Sequence, residues 1–123
     1  MARIVIVDDS LAIRTQLRGI LEKAGHDVVG EAPDGVRAPE LVADLRPDLV
    51  TLDMVMPGRD GIATLRHLHL RHPGLRVVVC SASASERRVL EALRLGASDF
   101  VIKPFEPATL LAAIEAALAS RAA

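Results

Sequence analysis

Aromatic and sulfur-containing side chains are scarce in this chain of 123 residues. It has no tryptophan or tyrosine, two phenylalanines and a single cysteine, although half of its residues are hydrophobic. The core must therefore be built from aliphatic side chains, and one cysteine excludes an internal disulfide. The absence of a disulfide suits a reducing compartment. Cys80 lies within an apolar run, so we expect its side chain to be a small buried hydrophobe.

An excess of positive charge is also missing. The formal net charge is −1, which argues against nucleic acid and against an anionic membrane as partners, because both require a basic surface. No apolar run approaches the length of a transmembrane helix, and residues 4–7 are too few for a signal peptide. We therefore expect a cytoplasmic protein that forms one domain over residues 1–123.

Five short apolar runs, most of them rich in valine and isoleucine, alternate with five patterns of helical periodicity. The runs are residues 4–7, 28–29, 49–52, 77–80 and 100–102, and the second gives the weakest signal. Pro39 falls inside the second helical pattern, so that helix either starts near Ala38 or has a distorted first turn. The alternation predicts an α/β fold in which a doubly wound parallel sheet carries helices on both faces.

Polar residues follow four of the five apolar runs. Asp8 and Asp9 follow the first run, Asp53 the third, Ser81 the fourth and Lys103 the fifth. A doubly wound sheet binds its ligands beyond the carboxyl ends of its strands. These residues are spread over almost the whole chain, yet we expect them to meet at one edge of the sheet.

The charges of this group predict a metal. Three carboxylates a few ångströms apart repel each other by about 4 kcal/mol per close pair at an effective dielectric constant of 20. Mg²⁺ relieves such repulsion, because it prefers oxygen ligands and fits a shallow, partly hydrated site. Lys103 adds one compact positive charge and is one of two lysines in a chain with thirteen arginines.

Each of these residues also has an ordinary structural interpretation. Asp8 and Asp9 could cap the first helix, and Asp53 could be a turn residue. Ser81 could be a hydroxyl at a strand end, and Lys103 a solvated lysine. Their coincidence at the predicted strand ends favours a functional site over four separate structural roles.

Other charged and imidazole side chains fit a solvated surface. His67, His69 and His72 resemble a metal cluster, but one helix face cannot present all three. Arg87 and Arg88 are also expected on the surface, where they could serve a partner.

Five sequence blocks resemble the response-regulator receiver domain, and among receivers the single-domain chemotaxis (CheY-like) type. The blocks read IVIVDDS at residues 4–10, LDMVMPGRDG at 52–61, SA at 81–82, GASDF at 96–100 and KPF at 103–105. The similarity runs from Arg3 to about Ala119. It implies a flavodoxin-like (βα)5 fold with a five-stranded parallel sheet in the order 2-1-3-4-5.

The resemblance implies a role for each acid at the site. Asp53 would accept a phosphoryl group from a histidine kinase. Asp9 and Asp53 would coordinate Mg²⁺ directly, together with the backbone carbonyl of Val55, and Asp8 would act through water. Lys103 would bind the phosphoryl oxygens.

The resemblance also implies a switch. Ser81 would hydrogen-bond the phosphoryl group, and Phe100 would be the aromatic residue that rotates on the output face. The peptide bond between Lys103 and Pro104 would be cis. Phe100 has no hydroxyl, so its movement would change packing only. Val55 and Ser83 stand at positions that influence dephosphorylation in the family, and neither offers a carboxylate or amide to orient a water, which argues against fast self-dephosphorylation.

The resulting expectation is a signalling switch of a two-component system, not a turnover enzyme. Its partners would be a sensor histidine kinase and a protein output target, with a flagellar motor switch protein as one candidate. The output surface would be formed by the fourth helix, the fifth strand and the fifth helix. The chain would act as a monomer, with a weak dimer as the alternative.

Three other interpretations compete with this one. The chain could be the receiver part of a longer response regulator, although nothing after the last helix would form a DNA-binding domain. It could be an aspartyl-phosphate phosphatase of the haloacid-dehalogenase type, but that enzyme needs an acid where Val55 stands and a cap insertion. It could also be an interaction module that is never phosphorylated, which the complete set of site residues disfavours.

Overall fold

The computed structural model describes residues 1–56, 60–82 and 85–120. Strands and helices alternate five times along the chain. The elements are β1 Arg3–Val7, α1 Leu11–Lys23, β2 Asp27–Ala32, α2 Ala38–Leu45, β3 Leu49–Leu52, α3 Gly61–Arg71, β4 Arg76–Ser81, α4 Glu86–Arg94, β5 Asp99–Ile102 and α5 Pro107–Ala119. All strands are parallel and lie in the order β2-β1-β3-β4-β5, which confirms the predicted fold.

The sheet separates two aliphatic layers, because successive side chains of a strand point to opposite faces. The face covered by α1 and α5 buries Ile4, Ile6, Leu49, Val78, Cys80 and Val101. The face covered by α2, α3 and α4 buries Val5, Val7, Val50, Leu52, Val77 and Val79. Full burial of one such side chain contributes about 2 kcal/mol, so this double core fixes the strand ends that carry the polar residues.

Two strands extend further at their carboxyl ends than the apolar runs predicted. β2 continues to Ala32, because it is the edge strand and its middle residues are only half-buried, so apolar character does not mark its length. β4 continues to Ser81, which therefore belongs to the strand and does not follow it. The prediction placed the carboxyl end of β4 one residue too early.

The helix starts answer two questions that the sequence left open. The N-cap of α1 is Ser10, whose Oγ accepts a hydrogen bond from the Ile13 amide at 3.2 Å, so neither Asp8 nor Asp9 caps this helix. Helix α2 begins at Ala38 with Pro39 in its first turn. Amides of the first turn have no partner within the helix, so the missing N–H of proline costs no hydrogen bond there. Helix α3 has Asp60 as its N-cap, and the Asp60 carboxylate accepts a hydrogen bond from the Ile62 amide at 2.6 Å.

The remaining side-chain expectations concern the cysteine and three of the histidines. Cys80 is buried as predicted, and burial raises the pKa of its thiol to about 12, so the thiol stays protonated. His69 is exposed as predicted, and His67 and His72 are partly exposed to solvent. In the part of the chain that the structure describes, no helix has the length and apolar character to cross a membrane.

Gly61 brings the start of α3 against the loop that follows β3. Its amide donates to the Met54 carbonyl at 3.0 Å, and a Cβ on Gly61 would collide with the Met54 backbone, 2.6 Å from that oxygen. Backbone cannot move aside as a flexible side chain can. Only glycine therefore permits this approach.

We predict that Gly61→Ala lowers the free energy of unfolding by about 2 kcal/mol through this collision. Gly19→Ala is the matched control, because Gly19 lies within α1 and a Cβ there meets nothing within 4 Å. That change should stabilise the protein by about 0.5–1 kcal/mol, through the higher helix propensity of alanine. Urea unfolding followed by circular dichroism measures both, and equal effects of the two changes would contradict the close approach.

Candidate functional site

The acidic residues meet where β1 and β3 end. These strands are neighbours, and Val7 pairs with Leu52 as the last residue of each. Asp8 and Asp53 follow directly, so the register brings both carboxylates to the same level beyond the sheet. Asp8 is 1% exposed and Asp53 is 6% exposed, whereas Asp9 faces solvent.

Lys103 bridges the two buried acids. It follows β5, and its amide donates to the Ser81 carbonyl at 2.9 Å, which extends the pairing of β4 and β5 by one bond. Its Nζ lies 2.6 Å from Asp8 Oδ2 and 3.5 Å from Asp53 Oδ2. The next peptide bond, to Pro104, is cis, as expected. A single ammonium therefore contacts carboxylates from two different strand ends.

The opposing charges shift the pKa values at the site. Burial raises the pKa of Asp53, and the charges of Asp8 and Asp9 add to the rise, although the Val55 amide and Lys103 counteract it. Burial alone would lower the pKa of Lys103. Its hydrogen bond to Asp8 and the charges of Asp8 and Asp53 outweigh that effect and raise the pKa, so Lys103 stays protonated.

The acids form a set suited to a hard cation. Oxygen atoms of Asp8, Asp9 and Asp53 all lie within 4.8 Å of one another, the one such group of potential ligands found among the described residues. Three negative charges face one ammonium, which leaves an excess of two. An all-oxygen donor set with that excess fits Mg²⁺.

The loop after Asp53 is held to this carboxylate. The Val55 amide donates to Asp53 Oδ1 at 3.2 Å, and the Val55 side chain is 60% exposed. Asp53 thus has one oxygen facing the loop amide and the other facing Lys103. Residues 57–59 of the family block and Ser83 lie outside the described residues.

The two residues assigned to the switch lie on neighbouring strands, but not opposite each other. Ser81 is fully buried and pairs with Ile102, whereas Phe100 pairs with Val79. All four positions share one face of the sheet, so Phe100 is the diagonal neighbour of Ser81. Phe100 thus lies on the strand next to that of Ser81, two residues before Ile102, the residue opposite Ser81. An aromatic side chain still reaches across a diagonal pair.

One polar residue near the site was missed in the sequence. Arg14 on α1 donates from Nη1 to the Asp8 carbonyl at 2.7 Å and from Nε to Glu31 at 3.0 Å. A single arginine on a helix gives no signal for such contacts. They depend on the packing of α1 beside the edge strand β2, which apolar patterns do not specify.

The family comparison covers almost the whole chain. The model of the response regulator receiver domain matches residues 4–115. Protein CcdB of Bacillus subtilis is 45% identical over 114 residues, which cover 93% of this chain and 95% of that protein. The chemotaxis protein CheY of Thermotoga maritima is 40% identical over 112 residues, which cover 91% and 93%.

A solved structure agrees with these sequence relatives. The crystal structure of the CheX–CheY–BeF3–Mg²⁺ complex from Borrelia burgdorferi contains a chain that superposes with a TM-score of 0.93 at 32% identity, over 96% of this chain and 90% of that one. Fold, acidic cluster and sequence similarity therefore agree. The chain belongs to the response-regulator receiver family and is a CheY-like signalling domain of the two-component type, not a classical metabolic enzyme.

Proposed function

We propose that the chain is a phosphorylation-dependent switch that accepts a phosphoryl group on Asp53 from a sensor histidine kinase. The contact of Lys103 with both Asp8 and Asp53 is the observation that carries this proposal. It places a positive charge beside the buried Asp53 carboxylate, whose other charged neighbours, Asp8 and Asp9, are negative. Such a site favours an incoming group that brings further oxygen charge together with a cation.

The chemistry proposed for Asp53 is nucleophilic. One carboxylate oxygen would attack the phosphorus of a phosphohistidine, forming a P–O bond while the P–N bond breaks. The imidazole nitrogen would keep the electron pair of that bond and take up a proton. Lys103 would stabilise the oxygens of the transferred group, and the Ser81 hydroxyl at the end of β4 would donate to one of them.

The residues proposed to hold Mg²⁺ are Asp9, Asp53 and the Val55 carbonyl, with Asp8 acting through water. When bound, Mg²⁺ would neutralise charge on the acids and on the phosphoryl oxygens. The donor set of the cluster supports this choice of metal. Lys103 already neutralises Asp8 in part, which leaves Asp9 and Asp53 as the acids with the greater need of a cation.

The proposed output surface is formed by α4, β5 and α5. Arg87, Arg88 and Glu91 on α4 are exposed, as a partner surface requires. Large apolar side chains are also exposed there, at Leu90 and Ile102. The partner would be a protein, and the CheY relatives make a flagellar motor switch protein one candidate. The proposed state of the chain is a monomer in the cytoplasm.

The same geometry would serve a receiver in a longer regulator, so the proposal of one domain over residues 1–123 is separate from that of Asp53 phosphorylation. A haloacid-dehalogenase type of phosphatase is disfavoured. The residue two positions after Asp53 is Val55, which has no carboxylate to act as a general acid. For the same reason we propose that self-dephosphorylation is slow.

The phosphorylation site is tested by mass spectrometry. With Mg²⁺ and acetyl phosphate, the intact mass should rise by one phosphoryl group, because Asp53 is the nucleophile. Asp53→Asn should abolish the gain, and Asp44→Asn, at an exposed position on α2, should leave it intact. Label on another residue of the Asp53→Asn protein would refute the assignment. Rapid release of free phosphate without accumulation of the phosphorylated protein would indicate the phosphatase.

A stability measurement tests the strain of the acidic site. Burial raises the pKa of Asp53, so the folded state favours the protonated carboxyl of this residue. Above the raised pKa, the ionised Asp53 therefore lowers the free energy of unfolding. Asp53→Asn should therefore stabilise the metal-free protein by about 1 kcal/mol at neutral pH. This advantage should fade as the pH falls through the raised pKa of Asp53.

Millimolar Mg²⁺ should stabilise the wild type and Asp44→Asn, but should stabilise Asp53→Asn much less. Thermal unfolding with and without Mg²⁺, at several pH values, measures these differences. Equal Mg²⁺ stabilisation of all three proteins would place the metal elsewhere.

Amide NMR with beryllofluoride and Mg²⁺ tests the proposed switch. We expect the largest shifts outside the site on α4, β5 and α5, because Ser81 would move toward the bound group and Phe100 would pack into the vacated space. Ser81→Ala and Phe100→Ala should each reduce these distant shifts while Asp53 is still modified. Leu70→Ala, on an exposed position of α3, is the control. Shifts centred on α1 and α2 that Phe100→Ala leaves unchanged would refute this route.

A further inference from the structure

Asp8 is held at all four of its polar atoms. Its amide donates to the Ala32 carbonyl at 3.0 Å, and its carbonyl accepts from Arg14 at 2.7 Å. Oδ1 accepts from the Ser10 amide at 2.9 Å, and Oδ2 accepts from Lys103 at 2.6 Å. Only the Arg14 contact acts on the peptide group that joins Asp8 to the next residue.

That peptide group sets the direction of Asp9. The Asp8 carbonyl lies beyond the last ladder bond of β1, so the sheet does not orient it. The Arg14 guanidinium supplies the orienting donor, and Glu31 fixes the guanidinium in turn through a contact of 3.0 Å to Nε. Glu31 lies on β2, so this chain of contacts anchors the Asp8–Asp9 peptide to the edge strand.

The network around Arg14 carries no net charge. Glu31 contacts Arg14 through one oxygen and Arg18 through the other, at 3.0 and 2.8 Å. Arg18 is also 3.7 Å from Glu22. Two arginines and two glutamates sum to zero net charge, so the field of the network falls off quickly with distance. Arg14 supplies a hydrogen-bond donor in a fixed position. Its side chain is only 14% exposed, and its planar guanidinium binds Glu31 and the Asp8 carbonyl at the same time.

We propose that Arg14 is a positioning residue for the cation site. By orienting the peptide between Asp8 and Asp9, it holds the Asp9 carboxylate where it can share a cation with Asp53. This inference rests on the proposed function of the site. Residues that orient metal ligands commonly change metal affinity by one to two orders of magnitude when removed.

The test is a Mg²⁺ titration followed by amide NMR, without a phosphodonor. Arg14→Met keeps the aliphatic stem but removes both donors, and should raise the Mg²⁺ dissociation constant roughly tenfold. Arg18→Met is the matched control. Arg18 lies on the same helix as Arg14 and also contacts Glu31, but it makes no contact with the Asp8 carbonyl. Its Mg²⁺ affinity should equal that of the wild type.

Arg14→Lys separates charge from geometry and remains informative if Arg14→Met fails to fold. An ammonium keeps the charge but cannot reproduce the fork that joins Glu31 to the Asp8 carbonyl, so Mg²⁺ affinity should still fall. Wild-type affinity in Arg14→Lys, or equal affinities of Arg14→Met and Arg18→Met, would overturn the positioning role. If the wild type itself binds no Mg²⁺, or is not labelled on Asp53, the proposed function fails instead.

Discussion

The ammonium of Lys103 connects the ends of β1 and β5, the first and last strands along the chain, at the point where the acids meet. It contacts Asp8, which lies 95 residues earlier in the chain, and Asp53, which lies between the two in sequence. Two buried carboxylates beside an exposed third are unfavourable together, and one compact positive charge offsets only part of their repulsion. The rest of the site surrounds this remaining negative charge, and the oxygen donors of the three acids suit a hard cation.

Such an imbalance requires a rigid frame, and the aliphatic core provides one. Side chains of both sheet faces are buried without aromatic residues, apart from Phe100 and Phe105 at the margins of the two layers. The parallel register then determines which strand ends face each other. The backbone positions of Asp8 and Asp53 cannot move apart unless the pairing of β1 with β3 is broken.

The same frame links the site to the surface. The Ser81 carbonyl accepts from the Lys103 amide, so the end of β4 is tied directly to the residue that bridges the acids. Phe100 lies diagonally from Ser81 on the next strand, at the margin of the core. A charge change at Asp53 therefore has a short physical route to β5 and α4, through groups that are already in contact or adjacent.

Sequence alone determined the fold class, the strand order and the identity of the charged groups that converge. Those features follow from apolar periodicity and from the rule that parallel strands end at one edge, with the family resemblance supplying the order. The periodicity failed where burial was incomplete, at the edge strand β2, because a half-exposed strand does not need a continuous apolar run.

Tertiary structure decided what depends on register and on packing between elements. It made Ser10, not Asp8 or Asp9, the cap of α1, and thereby left both acids available to the site. It set Ile102 rather than Phe100 opposite Ser81, and it brought Arg14 to the Asp8 carbonyl. No local pattern encodes these contacts, because each joins residues whose distance is fixed only after helices have packed on the completed sheet.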